Sequence, residues 1–281
     1  MNPETLPPLR VALAGSGILA DKRFGQHFLL DINICRKIVR LSEVRADDTV
    51  IEVGPGPGGL TRALLEAGAK VVAIEKDARF RPLLDEVAAA SPGRLTIVEA
   101  DALEVDETAL AGVAASVVAN LPYNVGTPLL VKWLTGAFRP CGMTLMFQKE
   151  VALRIVAQPG EKHFGRLAVL SQALCDARLV MDLPARAFTP PPKVDSAVVR
   201  LEPLAQRPAD PMIAVLQSVA LAAFGQRRKM LRSSLRSLGG EDLCSRSGID
   251  PNVRAETVPV GGFMALAATL MADRELPRLH G

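Results

Sequence analysis

Between Thr49 and Leu201 the apolar positions fall into short runs separated by segments of helical spacing, the pattern of alternating strands and helices. Val50 to Val53 reads as a strand, Leu60 to Ala67 as a helix, and Lys70 to Ile74 as a second strand ending at Glu75. A helix from Ala78 to Ala90, a strand at Leu95 to Val98 and a strand running into Asn120 continue the series. A helix carrying Leu129, Leu130, Trp133 and Leu134 then precedes a strand at Met143 to Phe147. Leu167 to Leu174 reads as a strand, as does the alternating Ala197 to Leu201. Upstream, Asp31 caps a helix with Ile34, Ile38, Val39 and Leu41 on its apolar side. Downstream, Pro203, Pro208 and Pro211 mark a linker into an all-helical region opening with Met212 to Phe224. These elements predict an N-terminal extension over 1–23 and an α/β domain over 24–203, its mostly parallel sheet covered by helices on both faces. A small all-helical domain over 204–281 follows.

The chemistry gathers where strands end. The loop Gly54-Pro55-Gly56-Pro57-Gly58-Gly59 joins the first strand to its helix, and Glu75 lies about 20 residues on, the layout of a nucleotide-binding unit. Gly54, Gly56 and Gly59 fit dinucleotide spacing, so a nicotinamide enzyme is one reading. Two prolines, however, remove N–H donors that a pyrophosphate would use. A ligand with a ribose, an adenine and a zwitterionic amino-acid tail suits the loop better, and S-adenosylmethionine is such a ligand. Asp101, at another strand end, could accept from an adenine amino group or cap the segment that follows.

The apolar strand Ser116 to Ala119 stops at Asn120, Leu121, Pro122 and Tyr123, which places an amide, a stiff backbone and the chain's single tyrosine at one strand end. That is a place to hold a flat polar ligand, and the Leu121 and Pro122 carbonyls are expected to be free acceptors. Three successive prolines, 190 to 192, read as a rigid post fixing Phe188 as the opposite wall of an aromatic clamp. Residues 225 to 236 carry five basic side chains and no acid. As a helix they would place Met230, Leu231, Ser234 and Leu235 on one face and the cations on the other, a phosphate-binding surface.

Composition narrows the function classes. The net charge is +3 with a pI near 8.8, a weak pointer to a polyanionic partner. Cysteines at 35, 141, 175 and 244 are too scattered for a metal or redox motif and suit reduced thiols. Histidines at 27, 163 and 280 show no ligand spacing, so no metal is expected. No apolar run approaches the ~20 residues of a membrane span. Val11 to Ala20 contains two glycines and runs into Asp21, Lys22 and Arg23, unlike a secretion signal. The expectation is a cytoplasmic protein without a membrane role.

Four segments together resemble a known family: Phe-Gly-Gln-His-Phe-Leu at 24–29, Asn-Leu-Pro-Tyr at 120–123, Phe-Thr-Pro-Pro-Pro-Lys-Val-Asp-Ser-Ala-Val at 188–198, and Phe-Gly-Gln-Arg-Arg-Lys at 224–229. They are similar to those of the bacterial small-subunit ribosomal RNA adenine dimethyltransferases, and the likeness runs from Phe24 to the C-terminal helices. It implies a Rossmann-like class I methyltransferase domain that uses S-adenosylmethionine and no metal. The implied substrate is two adjacent adenines near the 3′ end of 16S rRNA in the immature small subunit, methylated at N6 by a monomer. It further implies that His27 and Leu29 line the cofactor site, Gly54 approaches the methionine part, Glu75 holds the ribose and Asp101 meets the adenine. Asn120 would touch both cofactor and target base, with the Leu121 or Pro122 carbonyl as a further acceptor. Tyr123 and Phe188 would stack on the base, while Arg227, Arg228, Lys229 and Arg232 would dock the RNA. The resemblance departs at position 27, where many members carry Asn. Neighbouring readings are a large-subunit rRNA adenine methyltransferase, an N6-adenine DNA methyltransferase, and an assembly factor acting mainly by binding.

Overall fold

The computed structural model describes residues 6–20, 26–226 and 228–275, with side chains through 273. Phe24 and Gly25 of the first motif, the Lys22–Arg23 pair, and Arg227 of the basic run lie outside the described residues. Packing divides the chain into two units, one made of residues 1–152 and 178–202, the other of 153–177 and 203–281. The expected boundary near 203 is one of the crossings. The segment Leu153–Ala177, expected in the α/β domain, groups with the C-terminal helices.

The first unit is built on a seven-stranded sheet. Its strands are β2 (Thr49–Val53), β3 (Lys70–Glu75), β4 (Leu95–Glu99), β5 (Ala115–Asn120), β6 (Met143–Gln148), β7 (Cys175–Leu183) and β9 (Ser196–Pro203), in the order β4-β3-β2-β5-β6-β9-β7. Pairs from β4 through β6 are parallel, and β9 runs antiparallel to β6. A two-residue strand, β1 (Phe28–Leu29), pairs antiparallel with β8 (Phe188–Thr189).

From β2 the chain steps outward to β3 and β4, then returns to the other side of β2 as β5. Right-handed crossovers in opposite directions put their helices on opposite faces and open a crevice beyond the ends of β2 and β5. Ile51, Val117, Leu145 and Val199 are wholly buried, as strands covered on both faces require. On one face the helix Ile32–Ser42, capped by Asp31 on the Asn33 N–H, packs with the helix Gly59–Glu66. Residues assigned to the N-terminal extension also join this unit. The helix Leu9–Ser16 buries Leu9 and Ala12 against Phe28, Leu30, Phe80 and Leu84.

Residues 166–174 depart from the strand reading: they form a helix, Arg166–Leu174, with Ala168, Val169, Leu170, Ser171, Ala173 and Leu174 buried. A helix buried on nearly all sides lacks a polar face and carries short apolar runs such as 167–170 that resemble an interior strand, and the strand itself begins at Cys175. In the second unit this helix packs with Asp210–Gly225 and Val260–Glu275. Phe224 stacks on Phe263 with ring centroids 5.5 Å apart and meets Phe164 edge-on at 6.1 Å.

The basic run is not one helix. The Asp210–Gly225 helix ends at the first residue of the run, Met230 bridges to Arg254, and among the described residues that follow only Leu231–Ser234 is α-helical before a 3-10 turn at Arg236–Leu238. Leu231 N–H donates to the Val253 carbonyl and Arg232 N–H to that of Pro251, so the backbone leaves the helical path to join a distant segment. Leu231, Ser234 and Leu235 are buried as the helical pattern predicts, but Met230 is 42% exposed.

Candidate functional site

The β2–β5 crevice holds a cavity of about 230 Å³ within the first unit. Its walls include His27, Leu29, Gly54, Glu75, Asp101, Asn120, Leu121, Pro122 and Tyr123. Gly54, Glu75, Asp101 and Asn120–Tyr123 meet because each sits at or just beyond a strand end on the same edge of the seven-stranded sheet, while β1 and the residue before it bring in Leu29 and His27 from the separate pairing with β8.

The glycine loop lets the backbone turn away from β2. Gly54 and Gly56 have φ of +69° and +53°, in the left-handed region that L side chains avoid. A Cβ on Gly56 would lie 3.2 Å from the Phe28 ring, so a side chain there would also crowd β1. Glu75 ties this loop to β3: its Oε2 accepts from Gly56 N–H at 3.0 Å and its Oε1 from Asp77 N–H at 2.9 Å. Burial raises the Glu75 pKa, and the backbone N–H groups of Asp77, Gly56 and Lys76 oppose the rise. A carboxylate can accept about four hydrogen bonds, so Glu75 keeps capacity for a further donor.

Asp101 lies on the wall in a fixed orientation. Its Oδ1 accepts from Leu103 N–H at 2.9 Å, the capping role the sequence allows, and its Oδ2 from Lys76 Nζ at 2.7 Å. The Lys76 hydrogen bond is the main reason its pKa lies below the ordinary aspartate value. The turn after Asp101 is braced from beneath by Lys132, whose Nζ donates to the Ala102 and Val105 carbonyls and to Glu107 at 2.7–2.9 Å. Glu107 is buried and also accepts from the Trp133 indole N–H at 2.6 Å.

At the end of β5, Asn120 Nδ2 donates to the His27 carbonyl at 3.1 Å. Only the amino end of the amide can donate to a carbonyl, so this bond fixes which end is Oδ1 and leaves that oxygen as an acceptor. The His27 ring stacks on Tyr123, with centroids 5.4 Å apart and 30° between planes. Its Nδ1 contacts the Pro190 carbonyl at 2.8 Å, and because a carbonyl only accepts, Nδ1 carries the hydrogen. The Tyr123 hydroxyl is 2.6 Å from Ser196 Oγ, and burial raises the phenol pKa, keeping it neutral. The Pro122 carbonyl is not free as expected: it accepts from the Val125 and Gly126 N–H groups at the start of the next helix. Nor is Phe188 brought to the cavity. Pairing of β8 with β1 sets Phe188 opposite Leu29, and it is 3% exposed in the core with Leu183 and Val198.

Glu52, which is not among the residues expected at the site, also lines the cavity. It is 1% exposed, and its Oε2 has no hydrogen-bond partner among the described residues. Burial pushes its pKa up to about 8; Thr61 opposes the rise and the charge of Glu75 adds to it. The available signal was a carboxylate inside the apolar strand Val50 to Val53, directly before the glycine loop. Ser196, wholly buried at the start of β9, was likewise readable only as part of a longer motif. In the second unit Arg228, Lys229 and Arg232 are exposed. Among the described residues no group of three or more His, Cys, Asp or Glu side chains could hold a metal, and no helix is long and apolar enough to cross a membrane.

The sequence model of the ribosomal RNA adenine dimethylases matches residues 18–271. A ribosomal RNA small subunit methyltransferase A from Phenylobacterium zucineum is 66% identical over 278 residues, covering 99% of this chain and 97% of its own. The protein of that name from Caulobacter vibrioides is 67% identical over 253 residues, 90% of this chain and 98% of its own. Among solved structures, the 23S rRNA methyltransferase ErmE superposes with a TM-score of 0.69 at 27% identity, covering 86% of this chain and 99% of that one. A dimethyladenosine transferase from Plasmodium falciparum gives 0.71 at 24% identity over 85% and 96% of the two chains, a likeness of fold. With nine-tenths of its length matched, the chain belongs to the ribosomal RNA adenine dimethylase family.

Proposed function

We propose that this protein transfers methyl groups from S-adenosylmethionine to N6 of two adjacent adenines near the 3′ end of 16S rRNA. It would act as a cytoplasmic monomer on the immature small ribosomal subunit. Family membership and the small-subunit enzymes at 66 and 67% identity support this over a large-subunit target, whose named representative stands at 27%. The observation that carries the reading is the Asn120 amide, anchored by its NH₂ on His27 with its oxygen left as an acceptor, beside Tyr123 on the wall of the Glu75–Asp101 cavity.

The residues present fit the methyl donor. The glycine loop leaves room where a Cβ on Gly56 would crowd Phe28, and Glu75 keeps lone pairs for ribose hydroxyls. Asp101 stands in line for the adenine amino group. When bound, S-adenosylmethionine supplies an electrophilic methyl on a positive sulfur.

The protein's own task lies with the nucleophile. The N6 lone pair of adenine is delocalised into the ring, so the amine must become pyramidal before it can attack. Acceptors that draw the N6 hydrogens toward them favour that shape, and the groups suited to this are Asn120 Oδ1 and the Leu121 carbonyl. Being already oriented, they act without reorganising as charge develops. Tyr123 offers an aromatic face for a base that has left its stack; its other neighbour is the His27 ring. Each transfer would form the N6–methyl bond as the methyl's bond to sulfur breaks, and release one N6 proton to solvent, so the second transfer must proceed with a single N–H left to hold.

Small subunits lacking the modification, incubated with the protein and methyl-labelled S-adenosylmethionine, should gain N6,N6-dimethyladenosine detectable by mass spectrometry of the rRNA. Asn120→Ala should retain cofactor binding and lose transfer. Full activity in that variant would remove Asn120 from the mechanism, and cofactor binding without methylation of any rRNA would favour an assembly factor acting by binding.

A further inference from the structure

The second unit has a concavity of its own, about 530 Å³, lined by Gln226, Lys229, Ser233, Ser234, Arg236 and Ser237. Every lining side chain is basic or a neutral hydrogen-bonding group, and none is acidic. Lys229 and Arg236 have no ion-pair partner among the described residues, although Arg246 in the same unit is matched to Asp242 and Asp273 at 2.9 and 2.6 Å. The Ser233 and Ser237 hydroxyls also lack a partner there, whereas Ser234 donates to the Leu231 carbonyl.

The frame around the concavity is fixed. Buried Leu231 and Leu235 anchor the short helix, the Leu231 and Arg232 N–H groups hold the Pro251–Val253 segment, and Gly240 N–H closes on the Leu235 carbonyl. Two like charges are thus kept at one dent with no anion between them, and unpaired hydroxyls stand alongside. Cations plus short donors, with no aromatic platform and no apolar floor, match a tetrahedral oxyanion and give a base nothing to stack on.

We propose that this pocket seats a backbone phosphate of the RNA substrate, with Lys229 and Arg236 supplying charge and Ser233, Ser237 and Gln226 supplying hydrogen bonds. The proposal rests on the rRNA reading above and adds Arg236 and the two serines to the basic residues Arg228, Lys229 and Arg232. A phosphate contact positions the RNA without reading its sequence.

The test is binding of the full-length protein to small subunits across a salt series. Arg236→Gln should weaken binding about threefold to tenfold at moderate salt and reduce the slope of log K against log salt by about 1. Arg236→Lys should restore the slope, and the Ser233→Ala/Ser237→Ala double variant should weaken binding while leaving the slope alone. All are solvent-facing changes, and an unchanged melting temperature shows that the unit remains folded. If Arg228→Gln/Arg232→Gln weakens binding while Arg236→Gln matches the wild type, the pocket proposal falls and the basic surface stands. If no variant changes affinity or slope, the RNA-docking reading falls with it. A titration with inorganic phosphate at constant ionic strength distinguishes the source. Saturable binding lost in Arg236→Gln, together with unchanged RNA affinity, would assign the pocket to a small free phosphate and overturn the proposal.

Discussion

Glu52 offers the most quantitative test of the cavity's electrostatics. It is 1% exposed, with one carboxyl oxygen unpartnered among the described residues, and burial holds its pKa near 8 against an ordinary value of 4.5. Between those values the folded chain keeps a proton that the unfolded chain has lost. The folded state therefore binds more protons, and stability must fall as pH rises through this window. The contribution is complete below pH 4.5 and gone above about 8. At 1.36 kcal/mol per pH unit the full span is worth at most about 4 to 5 kcal/mol, and with water penetration and local relaxation about 2 kcal/mol is expected. Glu52→Gln keeps the shape and cannot ionise. Urea unfolding of both proteins at pH 5, 7 and 9, followed by the fluorescence of the single tryptophan, buried Trp133, reads the first unit directly. The variant should gain on the wild type by about 2 kcal/mol between pH 5 and pH 9. Parallel pH profiles, agreeing within about 0.5 kcal/mol, would show that Glu52 ionises freely in the folded state and would refute the desolvation argument.

Three other changes probe the supports of the site. Lys132→Met removes three hydrogen bonds from beneath the Asp101 turn and leaves Glu107 buried with only the Trp133 N–H; it should cost about 3 kcal/mol in urea unfolding and raise the KM for S-adenosylmethionine more than it lowers kcat. Tyr123→Phe loses only the contact to Ser196 and should cost about 1 kcal/mol or less in kcat/KM, whereas Tyr123→Ala also removes the proposed base stacking and should cost about 1 to 3 kcal/mol more in steady-state assays. Gly59→Ala would place a Cβ 2.7 Å from the Leu29 carbonyl oxygen, a backbone atom with nowhere to yield, and should lower stability by about 1 to 3 kcal/mol and weaken cofactor binding measured by calorimetry.

What was legible in the sequence was what depends on neighbours along the chain. Glu75, Asp101 and Asn120 could be placed on one edge because each follows an apolar run, and parallel strands deliver their C-terminal ends to the same side. The glycine loop was readable because left-handed backbone leaves a compositional trace. Features set by distant segments left little. Arg166–Leu174 looks like a strand because it is buried on nearly every side, and nothing local says that helices from the C-terminal region enclose it. The basic run breaks its helical pattern because Leu231 and Arg232 give their N–H groups to residues about 20 positions later.

The two acceptors expected at Asn120–Tyr123 show how a local rule can succeed in part. Proline removes one N–H and extends the residue before it, which suggests spare carbonyls at Leu121 and Pro122. The next helix, Gly126–Thr135, has unsatisfied N–H groups at its own start, and the Pro122 carbonyl lies where Val125 and Gly126 can use it. That leaves Asn120 Oδ1 and the Leu121 carbonyl as the proposed acceptor pair. Phe188 fails for the opposite reason. Pairing of β8 with β1 turns its ring into the core opposite Leu29. The aromatic neighbour Tyr123 has in this structure is the His27 ring, held by the Pro190 carbonyl of that same proline segment. The proline post thus reaches the site through the histidine rather than the phenylalanine. A family member with Asn at position 27 would have the Asn120 anchor, which uses only the backbone carbonyl, but would lack the ring behind Tyr123.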